Sequence, residues 1–190
     1  MATRPLIAIG AILLIVGAVI VGALGCQSRK APQLTPEEIA QIVEGQPRIF
    51  IEKEGALTLE GVEELYLGQS EADAMAILER ICAVVEVYEG GWRHKDAAFK
   101  GCIVEDGAHL KTIRAGFWPH NDNRVSTLEI KEAGHDPKLV RARFTEVGGP
   151  LSEDMPRPGV LIMASERYRL FANWDEGAKG PTHITIGFQP

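Results

Sequence analysis

THITIGF, residues 182–188, alternates without a break: Ile184, Ile186 and Phe188 fall on one face of an extended chain, His183, Thr185 and Gly187 on the other. A period of two means a strand with one buried and one wet face. Working back from it, GCIVED, HLKTIRAGFW, RVSTLEIKE, GVLIMAS and RYRLFANW also read as strands, so extended segments dominate everything after the turn residues Gly90 and Gly91. VLIMA, residues 160–164, is continuously apolar and is expected to be a central strand covered on both faces.

Helices punctuate this pattern at three places. In LTPEEIAQIVEG, residues 34–45, Thr35 is a natural N-cap, Pro36 suits the first helical position, Glu38 can close a capping box and Gly45 can end the helix. RIFIEKEGALTLEG then reads as two short strands about a turn near Glu54 and Gly55. In LYLGQSEADAMAILERICAVVEVYE, Ser70 can cap, with Asp73 at the reciprocal position. Ala74, Ile77, Leu78 and Ile81 repeat at helical spacing, and Cys82 extends that face. DPKLVRARFTEVGG, with Asp136 as cap and Val140, Phe144 and Val147 on one side, is the third helix. Because few strands are separated by helices, the fold expected is α+β: a mostly antiparallel sheet with about three short helices packed on one face. The 190 residues show no block repeat, and residues 34–190 are expected to form one globular domain.

The first 33 residues are of a different kind. From Leu6 to Gly25 the chain has 20 residues without a charge, long enough as a helix to span about 30 Å, the thickness of a bilayer core. Residues 1–25 are therefore a signal peptide or a membrane anchor, and the polar residues 26–33 are a linker. The length favours an uncleaved anchor, whereas the ending favours cleavage. Ala23, Leu24, Gly25 and Cys26 resemble the lipobox of bacterial lipoproteins, which implies that Cys26 becomes the lipid-modified first residue of the mature chain. Either way the membrane is a partner, through a lipid on Cys26 or through apolar residues 6–25. A short leading tail usually stays in the cytoplasm, so the domain is expected outside it, in the cell envelope. In that oxidising compartment Cys82 and Cys102 remain as a pair, and a bridge between them is expected.

GVEELYLGQSEADAMAIL, residues 61–78, resembles the opening of outer-membrane assembly accessory lipoproteins with a lactamase-inhibitor-like fold. Gly68, Ser70, Ala74 and Leu78 carry the likeness. The resemblance implies a capped helix packed on a small antiparallel sheet, and a noncatalytic binding or scaffolding role on the periplasmic side of a membrane.

Local catalytic motifs are missing: no GxSxG, HExxH, phosphate loop or EF-hand spacing occurs. Their absence lowers the expectation of an enzyme without removing it, since triads assemble from distant positions. A tethered hydrolase therefore stays as the alternative, as does a single-pass anchored protein of another role. His94, His109, His120, His135 and His183 show no metal-ligand spacing, and neither a metal nor a cofactor is expected. In WPHNDNR, residues 118–124, His120, Asn121, Asp122 and Asn123 could offer ligands to a cation, though the stretch reads more simply as a hairpin turn. His183 is expected to be solvated. Arg141, Arg143, Trp92, Trp118 and Trp174 are possible interface anchors, and NWDEGAKGPTH, residues 173–183, a possible functional loop. Residues 31–90 hold 13 acids against Arg48, Lys53 and Arg80, a net of −10, while residues 91–190 are nearly balanced at +1. With no basic stripe, nucleic acid is not an expected partner; an envelope protein is.

Overall fold

The computed structural model describes residues 33–53, 55–91, 94–106, 109–148, 152–154, 158–174, 180 and 182–188. Apolar residues 6–25, Cys26 and the linker up to residue 32 lie outside them, as do residues 175–179 of the possible functional loop. No helix among the described residues is long and apolar enough to cross a membrane.

Helix α1 (Pro36–Val43) begins as its sequence dictates. The Thr35 hydroxyl accepts the Glu38 amide at 3.3 Å, and the Glu38 carboxylate accepts the Thr35 amide at 2.8 Å. None of its residues is fully buried, so it depends on a clamp at its other end. Arg143, from α3 (Pro137–Gly148), donates from Nε to the Pro47 carbonyl at 2.8 Å and from Nη2 to the carbonyls of Val43 at 2.9 Å and Gln46 at 2.6 Å. These carbonyls have no partner within the helix. Arg143 is thus an internal staple rather than a surface anchor, its side chain only 13 % exposed.

Strands β1 (Phe50–Lys53) and β2 (Ala56–Leu59) form a hairpin whose turn places Gly55 at φ +76°. Ile49 just before it sits at φ 63°, strained for a β-branched residue. The Glu60 carboxylate holds it there by accepting the amides of Arg48 at 3.0 Å and Ile49 at 3.2 Å. Helix α2 (Glu71–Ile81) follows, with the Ser70 hydroxyl accepting the Asp73 amide. The Asp73 carboxylate takes the Ser70 hydroxyl at 2.6 Å, being too short to reach back to the Ser70 amide as the longer Glu38 does in α1. Gly68, at φ +88°, donates its amide to Val125 at 2.7 Å, and Val125 donates to Gln69 at 2.9 Å. The Gly-x-Ser stretch therefore pins the helix start to the sheet.

The remaining strands are β3 (Glu86–Gly91), β4 (His94–Asp106), β5 (His109–Trp118), β6 (Arg124–Glu132), β7 (Ser152–Asp154), β8 (Val160–Ala164), β9 (Tyr168–Trp174) and β10 (Thr182–Phe188). They form one antiparallel sheet in the order β3-β4-β5-β6-β10-β9-β8-β7. Two units of one plan compose it: α2 followed by the meander β3–β6, and α3 followed by the meander β7–β10. The last strand of each unit pairs with the other, Ile130 opposite Ile184 and Leu128 opposite Ile186. The fold is α+β, with three α-helices among the described residues, as expected. VLIMA, however, is β8, one place from the sheet edge, and the centre is held by β6 and β10.

The helices and the β1–β2 hairpin all cover one face. Leu57, Leu65, Ala74, Leu78, Phe144 and Val140 meet Ile113, Ala115, Leu128, Ile130, Leu170, Ile184 and Ile186 in a single core, with Phe50 edge-on to Phe144 at 5.5 Å between ring centroids. Trp174 belongs to this core, its indole donating to the His135 carbonyl at 2.6 Å, so it too is no surface anchor. Asp136 caps α3, accepting the amides of Lys138 at 2.7 Å and Leu139 at 3.3 Å. Cys82 at the end of α2 and Cys102 on β4 are joined with their Cα atoms 5.7 Å apart, an arrangement compatible with the expected bridge.

Candidate functional site

With one face covered, the other face of the sheet is left open among the described residues, and the strand register sets which side chains meet there. Glu86, Gly101, Arg114, Glu129, Thr185, Phe171 and Ile162 form one row across seven strands. Tyr88, Phe99, Gly116, Thr127, Gly187 and Arg169 form the next. Ile103, Thr112, Lys131, His183 and Asn173 form a third.

Two glycines shape this surface. Gly101 leaves β4 bare, so Arg114 on β5 reaches across it and lays its guanidinium 4.1 Å from the Tyr88 ring centroid on β3. A Cβ at Gly101 would stand 1.9 Å from the Ile113 carbonyl oxygen and 2.8 Å from Arg114 Cα. Gly116 likewise makes room for Phe99, whose Cε1 lies 2.8 Å from where a Cβ would be.

At the centre, Arg114 Nη1 donates to Glu129 at 2.8 Å, and His183 Nε2 stands 3.2 Å from the same carboxylate oxygen. The second contact is at ion-pair distance but off the hydrogen-bonding line. His183 is therefore not simply solvated: its side chain is 30 % exposed and packs edge-on to Phe171, 6.5 Å between centroids. Burial pushes the Glu129 carboxyl up, but His183 and Arg114 outweigh it and hold the group below the usual carboxylate range. The same motif recurs on the covered face. There Glu132 lies 2.8 Å from His135 and 3.1 Å from Lys111, which likewise overcome its burial and lower its pKa.

The hairpin residues form no comparable centre. Pro119–Asn121 is a short 3-10 turn, and Asp122 and Asn123 take the left-handed conformations of a tight reversal, at φ 48° and 53°. Asn121 spends its amide on the Ser126 hydroxyl at 3.1 Å, while His120 and Asp122 point to solvent. His120 is not brought to His183, which sits opposite Lys131, roughly 20 Å along β6 from this turn. The side chain of His94, like Asp175, lies outside the described residues. Among the described residues no cluster of His, Cys, Asp or Glu could hold a metal ion.

A groove of about 450 Å³ opens on the covered side between α2 and the β4–β5 hairpin. Its floor is Val62, Ile77, Ile81, Val104 and Ile113, and its rim carries Glu63, Glu64, Arg80 and Lys111. Arg80 is tied to Glu64 and Lys111 to Glu132, and no histidine enters it. No protein-family profile matches the chain, and no curated protein or solved structure shows significant similarity to it.

The Arg114–Glu129–His183 network escaped the sequence reading because its members come from three strands. Only the period-two placement of His183 hinted that it belongs to an outward face.

Proposed function

We propose that this chain is a membrane-tethered envelope lipoprotein whose domain binds or braces another envelope component, without catalysis, through the open face of its sheet. The observation that carries this reading is the composition of that face. An uncovered antiparallel sheet normally turns polar side chains to water. Here it presents Tyr88, Phe99 and Phe171, with Ile103 60 % and Leu110 66 % exposed on the β4–β5 hairpin. Apolar and aromatic side chains set among charges on an uncovered sheet face support a role in interaction. Arginine and aromatic side chains together are the composition of binding hot spots. The tether follows from residues 6–25 and Cys26, as a lipid or as an intact anchor.

Two measurements test the reading. A photocrosslinking amino acid at Thr112, on the open face, captures a discrete product in cells, and the same group at Glu79, on the outer surface of α2, does not. Fatty-acid labelling marks the wild type and is lost in Cys26→Ser. Absence of any product from Thr112 removes the binding role; absence of label in the wild type replaces the lipid by the anchor.

A further inference from the structure

We propose that the open face has a specific occupant, a second copy of this chain packed face to face; the inference rests on the binding role assigned to that face. Three features of the surface argue for self-association.

The first is area. Eight strands at about 4.8 Å spacing and about seven residues at about 3.3 Å rise give a face of roughly 800 Å². That is the share each partner contributes to a stable interface of standard size.

The second is charge. The chain carries −6 overall, and residues 34–81, which build most of the covering layer, hold eleven acids against Arg48, Lys53 and Arg80. The open face is different. Among the described residues of its three rows and the adjoining Glu105, the carboxylates of Glu86, Glu105 and Glu129 balance Arg114, Lys131 and Arg169. Two copies meeting through this neutral face turn their acidic layers outward. With about 10 Å between stacked layers, those layers end up about 30 Å apart, roughly three Debye lengths at 0.1 M salt. Contact through the covering layer would instead press like charge on like. Glu129 and Arg114 enter the contact already paired, so the desolvation cost of an unpartnered charge is avoided.

The third is symmetry. A two-fold contact requires a patch that complements itself. Rotation about an axis along the strands sets the β4–β5 side of one copy over the β8–β9 side of the other. Ile103 and Phe99 then face the part of the partner that presents Ile162 and Phe171, apolar surface on apolar surface.

Sedimentation equilibrium of the full chain in a density-matched mild detergent tests this. The wild type is expected at twice the mass of its own protomer as measured by mass spectrometry, with dissociation on dilution. Ile103→Glu combined with Thr185→Arg, which adds charge and bulk to the face, is expected to weaken dimerisation at least tenfold. Glu79→Arg on α2 leaves it unchanged. Both variants are checked for unaltered circular dichroism and melting temperature, and single Thr185→Arg serves if the double variant fails to fold. A wild type that stays monomeric to about 100 μM overturns the inference, as does an open-face variant that dimerises like the wild type. A monomeric chain that still yields a heterologous product from Thr112 sinks the second copy but spares the binding role; a monomer with no product sinks both.

Discussion

Gly101 is where a single hydrogen in place of a methyl group decides the local structure. The missing side chain lets backbone approach backbone and opens the path by which Arg114 crosses β4 to Tyr88. Gly101→Ala meets a carbonyl oxygen at 1.9 Å, which no rotamer change relieves. It is expected to cost about 2 kcal/mol or more, read as a lowered urea midpoint. Gly116→Ala meets only the edge of the Phe99 ring, which can swing aside, and is expected to cost less than about 1 kcal/mol. Equal losses from the two would remove the backbone-contact argument. The carboxylates of Glu129 and Glu132 make a second prediction. Their folded-state pKa values lie below the ordinary 4.5, so the charged forms are the stabilised ones. Their contribution is present in full above the unfolded value and is lost as pH falls through the folded values. Wild-type stability is therefore expected to drop as pH descends below about 4.5, with a shallower drop in Glu129→Gln/Glu132→Gln. Matching slopes in urea titrations at pH 5 and pH 3 would show that neither carboxylate is the source.

The helices show what a short stretch can and cannot specify. Their starts were legible because capping is local: Thr35 with Glu38, Ser70 with Asp73 and Asp136 with Leu139 all act within three residues. What holds α1 down was not legible. Arg143 lies 96 to 100 residues from the carbonyls it binds, and nothing in its neighbourhood distinguishes it from a solvent-facing arginine. Arg143→Ala leaves three carbonyls without their charged donor and is expected to destabilise by about 2–4 kcal/mol. Hydrogen exchange should localise the loss to the amides of residues 40–44. Arg143→Lys, a point charge without the planar fork, restores only part. If α1 keeps full protection in Arg143→Ala, packing alone seats it.

At the scale of the molecule, the class of the fold was readable but its order was not. Alternation in THITIGF announced a sheet with one covered face, and the scarcity of helices between strands announced antiparallel pairing. A continuous apolar run reports only how much of a strand is covered, so VLIMA was placed centrally when it lies next to the edge; strand order is set by long-range pairing that leaves no local trace. The two-unit plan was hidden for the same reason, since any amphipathic helix and any four alternating strands satisfy it. The bridge between Cys82 and Cys102 ties α2 to the outer half of the first unit across a separation of 20 residues. Cys82→Ser with Cys102→Ser is expected to cost about 3 kcal/mol, measured as the difference in urea stability between oxidised wild type and variant. An unchanged midpoint would mean that the packing of Ala74 and Leu78 suffices. The seam between the units has a temporal meaning as well. β10, the latest-made of the described strands, occupies the middle of the sheet, so until residue 188 has been synthesised the inner border of β6 has nothing to zip against. A growing polypeptide of this kind keeps the centre of its sheet unpaired until β10 has emerged, so its two units can close on each other only late.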